Sequence, residues 1–265
     1  MQNTQFNYYL VYQPSKDAMK RIQIESALSS LGCRKLHYSL WRVPKKEIRS
    51  ALRVTRECEP LVFKRTRELL RSQIDFDKEI YDLGSVAIIA YKLLKGETGK
   101  RNAVLRALRR SPRIKIGQSL YLIPYLKASK LESYKGKVML QDELFDFLKN
   151  EGVNAHRLTH MKIIYPSSHK SLLRLMMDHE SLTCQKMTLA LKRLMAKIER
   201  SEPQELPKLM KILSAYNVRY KALRGTILFL YNMMNVDLRF HLKKAYNSLI
   251  LCKKMYNSKI LKSIV

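Results

Sequence analysis

The feature that most constrains this 265-residue chain is an internal repeat. Residues 20–44 laid on residues 100–124, at a constant offset of 80, match Lys20-Arg21 with Lys100-Arg101, Ala27-Leu28 with Ala107-Leu108, and Lys35 with Lys115. Ser39-Leu40-Trp41-Arg42-Val43-Pro44 then falls on Ser119-Leu120-Tyr121-Leu122-Ile123-Pro124. Upstream, Tyr8 to Tyr12 matches Val86 to Tyr91 in character, with one residue inserted in the turn that follows. A period of this length implies one supersecondary unit present twice.

Each copy opens with an apolar, aromatic-rich run suited to a buried strand, Phe6 to Tyr12 and Val86 to Tyr91. A helix follows, with Met19, Ile22, Ala27, Leu28 and Leu31 at helical spacing in the first copy and Val104, Ala107 and Leu108 in the second. Gly32 and Pro112 end these helices. A β-ribbon comes next, Arg34 to Val43 and Arg113 to Tyr125. In the second copy a helix over Gln141 to Asn150 and a strand over Arg157 to Tyr165 complete a βαββαβ order, the ferredoxin-like split unit. The first copy offers a helix near Lys45 to Cys58 but no clear fourth strand.

The expected fold is therefore α+β, with two tandem ferredoxin-like βαββαβ units followed by an all-α module. Residues 1–58 form the first repeat, read as incomplete for want of that strand. Residues 59–83, where acids concentrate from Glu57 to Asp82, read as a linker helix of mixed charge. Residues 84–166 form the second repeat, and 167–265 a basic helical module. In that module Met187, Leu191, Leu194, Met195 and Ile198 make one helical stripe. Leu206, Leu209, Met210, Leu213 and Tyr216 make a second, and Leu242, Tyr246, Leu249, Ile250 and Tyr256 a third.

Charge narrows the function. Lys and Arg number 51 against 22 Asp and Glu, a net +29, while 46% of residues are apolar. Disorder through low hydrophobicity is thereby excluded. An excess of this size costs stability through self-repulsion and calls for a polyanionic partner, with DNA or RNA first. It grows along the chain, from +6 over residues 1–83 to +10 over 84–166 and +13 over 167–265. Cys33, Cys58, Cys184 and Cys252 form no C-x-x-C pair and are expected reduced. The N-terminus lacks a signal-peptide pattern, and the most apolar run, Ile227 to Val236, is broken by Asn232 and Asn235. A cytoplasmic setting without a membrane partner is expected.

The first copy resembles a known pattern. Tyr9-Leu10-Val11-Tyr12-Gln13, then Lys20-Arg21, then Leu31-Gly32-Cys33-Arg34-Lys35-Leu36-His37-Tyr38-Ser39-Leu40-Trp41 is similar to the small CRISPR-associated integration subunit called Cas-two. It is similar also to the related C-terminal domain of phenylacetate-operon repressors. The resemblance covers about 40 residues of the first copy, more weakly about 80 of the second, and none of the helical third. It implies two units packed together with basic surfaces for a duplex, here as a pseudo-dimer within one chain. The family's signature strand-end acid, which can hold a divalent metal, falls at Gln13 and Lys92. An amide is a poor ligand and an ammonium repels the ion. The expectation is therefore binding without cutting, with neither metal nor other cofactor.

The residues expected to meet phosphates are Lys16, Lys20 and Arg21 and, in parallel, Lys95, Lys100 and Arg101. Arg106, Arg109, Arg110 and Arg113 add a dense strip, and Lys243, Lys244, Lys253 and Lys254 extend it in the tail. Asp17 and Glu97 sit at helix starts, where a carboxylate caps exposed N–H groups, and Asp142, Glu143 and Asp146 read as first-turn acids. Gly96-Glu97-Thr98-Gly99-Lys100 lacks the spacing of a phosphate loop. Two function classes remain. One is a non-catalytic binder of DNA or structured RNA, an architectural or adaptor subunit with the helical module open to protein partners. The alternative is a metal-independent endoribonuclease of the CRISPR repeat-processing type, in which His156 and His160 act as acid and base.

Overall fold

A computed structural model describes residues 8–94, 96–126, 134 and 137–264. The chain is a mixed α/β protein, 57% helical and 20% strand, with an antiparallel sheet. The first copy runs β1 (Tyr8–Val11), α1 (Ala18–Ser30), β2 (Arg34–His37), β3 (Leu40–Val43), α2 (Ile48–Thr55) and β4 (Leu61–Arg65). After a hairpin of β5 (Gln73–Asp75) and β6 (Ile80–Asp82), the second runs β7 (Ser85–Lys92), α3 (Thr98–Arg109), β8 (Ile114–Gly117), β9 (Leu120–Pro124), α4 (Gln141–Asn150) and β10 (Asn154–Ile163). Three helices follow: α5 (Pro166–Arg200), α6 (Leu206–Met234) and α7 (Arg239–Ile264).

The repeat is visible in the hydrogen-bond register. β2 and β3 pair Arg34 with Arg42, Lys35 with Trp41 and, after a bulge, His37 with Leu40. β8 and β9 pair Ile114 with Leu122, Lys115 with Tyr121 and, after the same bulge, Gly117 with Leu120. Every position moves by 80. The opening strands move by 79, since Val11 faces Leu40 and Ala90 faces Leu120. The extra residue in the intervening turn accounts for the difference, and it makes Gln13 and Lys92 equivalent.

The fourth strand of the first copy, which the sequence did not reveal, is β4. Its apolar stretch is short, Leu61-Val62-Phe63, and then turns to Lys64-Arg65. It pairs with β1 on one side and β10 on the other, so one eight-stranded sheet runs β2-β3-β1-β4-β10-β7-β9-β8. The expected linker helix over 59–83 is instead β4 and the β5–β6 hairpin. Its acids serve the turn: Asp75 Oδ1 accepts from the N–H groups of Asp77 (3.1 Å) and Lys78 (3.2 Å). Gly84 then needs its positive φ of 68°, and a Cβ there would stand 2.6 Å from the Leu70 carbonyl oxygen.

Helices α1 and α2 cover one face of the first copy, around Leu10, Trp41, Val43 and Val62, and α3 and α4 cover the matching face of the second, around Ile89, Tyr121 and Ile123. Only Ile24 and Leu28 of α1 are buried, each stabilising by roughly 1.5–3 kcal/mol. Met19 and Ile22, expected in that stripe, are 65% and 62% exposed, because Ile22 lies about 200° around the helix from Ile24. The other faces of both halves share one core, with Val11, Leu40 and Phe63 in the same cluster as Ile88, Ile116 and Leu122. The sheet thus folds back on itself. His37 Nε2 donates to the Tyr91 carbonyl at 2.9 Å, and Ser39 Oγ sits 3.1 Å from where a Cβ of Gly117 would be.

The tail is not a detached module. Leu172, Met176, Leu191 and Ile227 belong to the same core, and α5 packs on β6, β8 and β10. His169, buried in the first turn of α5, accepts from Leu83 N–H through Nδ1 (3.0 Å), and its Nε2 lies 3.3 Å from the Ile163 carbonyl oxygen. Asn235 ends α6 in the left-handed region (φ 53°) and donates from Nδ2 to the Ile74 carbonyl (3.3 Å). Asp237 then accepts from Arg239 N–H at 2.9 Å at the start of α7. Of the two asparagines that interrupt the apolar run, Asn235 is thus helix punctuation, while Asn232 lies within α6. All four cysteines are buried free thiols.

Candidate nucleic-acid interface

A groove of about 1560 Å³ lies between α3 on one side and α5 and α6 on the other. Arg106, Arg109, Arg110 and Arg113 line its α3 wall. Lys186 comes from α5, Arg219, Lys221 and Arg224 come from α6, and Lys137 stands at the end. Among the described residues, nine cations face two carboxylates, Glu151 and Glu180. The helix α6 approaches closely because residue 225 is glycine, where a Cβ would meet the Lys137 carbonyl oxygen at 2.5 Å.

The groove floor is a linked cluster. Arg113 donates from Nη1 to the Leu108 carbonyl, and its Nη2 stands 3.4 Å from His179 Nε2. Glu180, only 4% exposed, lies beside it. Burial pushes the Glu180 carboxyl up to about 7, partly opposed by the Arg113 guanidinium. Burial also lowers His179, and the nearby Arg113 charge adds to this.

A second, smaller cleft of about 640 Å³ opens where the two halves meet. Gln13 and Tyr38 enter it from the first copy, and Lys92, Arg101, Leu105, Lys115, Tyr91 and Tyr121 from the second. Tyr91 and Tyr121 lie parallel, with ring centroids 6.1 Å apart. None of its 14 lining residues is an Asp or Glu.

The residues expected from sequence are thus divided. Arg106, Arg109, Arg110 and Arg113 share the groove, and Arg101 lines the cleft. The symmetric pairs are partly engaged at home. Lys20 pairs with Glu57, Lys100 Nζ pairs with Glu97 at 2.8 Å, and Arg21 donates to the Ser15 (3.1 Å) and Lys16 (3.3 Å) carbonyls. Lys16 is exposed, and Lys95 lies outside the described residues. In the tail Lys243 and Lys254 are exposed, Lys244 sits over Phe240 (4.3 Å), and Lys253 donates to Asn217 Oδ1 (2.9 Å). None of these four lysines lines either concavity.

Asp17 caps α1 as expected, accepting from Met19 N–H at 2.9 Å, whereas Glu97 accepts from Leu94 N–H at 2.9 Å instead of capping α3. Asp142 of α4 pairs with Arg157. Gln13 and Lys92 occupy equivalent strand ends and face one cleft. Among the described residues no three His, Cys, Asp or Glu side chains come together as a metal site. His156 and His160 do not share a face as the sequence suggested. A bulge between Leu158 and Met161 reverses the alternation, and His160 takes a φ of 58° beside Tyr125.

Sequence reasoning missed Lys186, Arg219, Arg224 and the acid Glu180, since a groove wall made by three helices far apart in the chain has no local signature. The spacing of Arg219 and Arg224 against the apolar stripe of α6 was the one available hint. Leu175, Leu182 and Leu189 of α5 are 52%, 47% and 55% exposed at seven-residue spacing. Among the described residues no helix is long and apolar enough to cross a membrane. Comparison with protein-family models and with curated proteins gives no match.

Proposed function

We propose that this chain is a non-catalytic nucleic-acid-binding protein that holds the phosphate backbone of DNA or structured RNA in the groove between α3, α5 and α6. The single observation that carries the reading is the gathering of nine cations against two acids in one concavity. Cations held at fixed spacing release the counterions of a polyanion and position it without reading bases. The reading includes a frame of two ferredoxin-like units in one chain, a pseudo-dimer of Cas-two-like halves serving as an architectural or adaptor subunit. Its support is the strand order 2-3-1-4 in the first half, repeated in the second as β8-β9-β7-β10.

The test is binding of a fluorescent duplex, DNA and RNA in parallel, across salt. Affinity falls by about 0.9 log units per log unit of salt for each phosphate neutralised. Reversing Arg109, Arg110 and Arg219 to Glu removes three contacts, lowers affinity at least about tenfold at low salt, and flattens the slope by up to about three units. Equal affinity of wild type and triple variant, or binding indifferent to salt, overturns the reading.

A further inference from the structure

The cleft at the meeting of the two halves carries a charge pattern its counterpart lacks. In the first copy Lys35 is neutralised by Glu25 at 2.6 Å, and its ammonium stands 5.8 Å from the Trp41 ring. At the matching places the second copy has Lys115, Tyr121 and, opposite Glu25, Leu105. Lys115 therefore has no carboxylate partner among the described residues. Lys92, in turn, stands where the first copy has Gln13. With Arg101, three cations share a small hollow that no acid lines among the described residues. Like charges so placed repel unless an anion sits between them.

Shape and aromatic content define that anion further. A volume of about 640 Å³ falls in the range of small-molecule sites, about 300–1,000 Å³. Tyr38, 43% exposed at the rim, offers a ring face, and base–aromatic stacking needs no sequence preference. We propose that this cleft binds the phosphate of a nucleotide, with Lys92, Arg101 and Lys115 on the phosphate and the base against Tyr38. The phosphate belongs either to a free mononucleotide or to the phosphorylated end of a strand. The second source is within reach, because α3 carries Arg101 into the cleft and Arg110 into the groove, about 14 Å along the helix. The inference goes beyond duplex binding and does not depend on it.

The experiment uses the full chain with adenosine monophosphate, inorganic phosphate, and a short single strand with or without a 5′-phosphate, read by calorimetry. Binding of the mononucleotide, displaced by inorganic phosphate, is expected. Lys115→Ala weakens it at least about tenfold, the loss of one charged hydrogen bond. Leu105→Glu, which restores in the second copy the acid of the first, abolishes it at an unchanged unfolding midpoint. A preference for the phosphorylated strand that Lys115→Ala erases assigns the strand end. Mononucleotide binding with equal affinity for both strands assigns the free nucleotide. Arg110→Glu leaves mononucleotide binding intact, so failure of the groove reading and of this one are separable. If neither mononucleotide, phosphate nor phosphorylated end binds, or if Lys115→Ala and Leu105→Glu bind like wild type, the proposal falls.

Discussion

At the turn of its β-ribbon the first copy carries His37, and the second, at the matching place, Gly117. The imidazole of one reaches across to the Tyr91 carbonyl, and the bare backbone of the other makes room for Ser39. A similar exchange recurs elsewhere. Glu25 and Lys35 form an ion pair in the first copy, where the second has Leu105 and a Lys115 with no carboxylate partner among the described residues. Cys33, buried in the first, corresponds to Arg113 on the groove floor. Trp41 and Tyr121 are both buried, at 2% and 8% exposure, but Tyr121 also borders the cleft. Identical registers thus carry different chemistry: the first copy spends its polar residues on itself, and the second turns them outward to both concavities.

The largest expected effect separates the two aromatic positions. Trp41→Ala removes a buried ring and lowers unfolding stability by about 3–5 kcal/mol. Tyr121→Ala, which removes a smaller ring that also forms part of the cleft wall, lowers it by less and weakens nucleotide binding as well. Urea unfolding alongside calorimetry reads both, and equal stability losses would erase the distinction between a packing copy and a binding copy.

Next in size is Glu180, held against the second copy's Arg113. Its folded value near 7 exceeds the free value of 4.5, so stability is full below 4.5, is lost as pH rises, and levels off above 7. Glu180→Gln removes this slope and, at about 1.4 kcal/mol per unit, gains on the order of 3 kcal/mol over wild type at pH 8. Parallel stability curves for the two proteins between pH 4.5 and 7 would contradict this.

His37→Ala is expected to cost about 1–3 kcal/mol, since the Tyr91 carbonyl loses its donor. Burial lowers the His37 value, so its contribution is complete above about 6.5 and fades as pH falls and the ring must charge. The deficit of the variant should therefore narrow below pH 6 in thermal unfolding. Smallest is Glu25→Leu, which frees Lys35. The pair is half exposed, so stability changes by no more than about 1 kcal/mol. The salt slope of duplex binding steepens by less than one unit if the first copy gains a usable cation.

What the sequence made legible was what repeats or alternates locally. The ribbons from Arg34 and Arg113, the helix Gln141–Asn150 and the helical stripes of the tail all followed from spacing. β4 did not, because a central strand of three apolar residues followed by Lys64-Arg65 draws its stability from pairing with β1 and β10, far away in the chain. The acids from Asp75 to Asp82 suggested a solvated helix, but short-range hydrogen bonds to backbone N–H groups bend them into a hairpin. The basic residues were visible while their grouping was not. Lys20 and Arg106 look alike in sequence, and only packing gives one a Glu57 partner and the other a groove.

Within the sheet the halves join at three paired positions, Phe63 with Ile163, Lys64 with Lys162 and Arg65 with Met161, beside the core that they share. As two separate chains the halves would meet only by a bimolecular encounter, with two lysines opposed at the centre of the join. A covalent tether replaces that encounter with a local one at an effective concentration in the millimolar range. The join then forms at any protein concentration. Duplicated halves on one chain are also released from the rule that a change on one side of a twofold axis is made on the other. That release allows one half to keep a histidine where the other has a glycine.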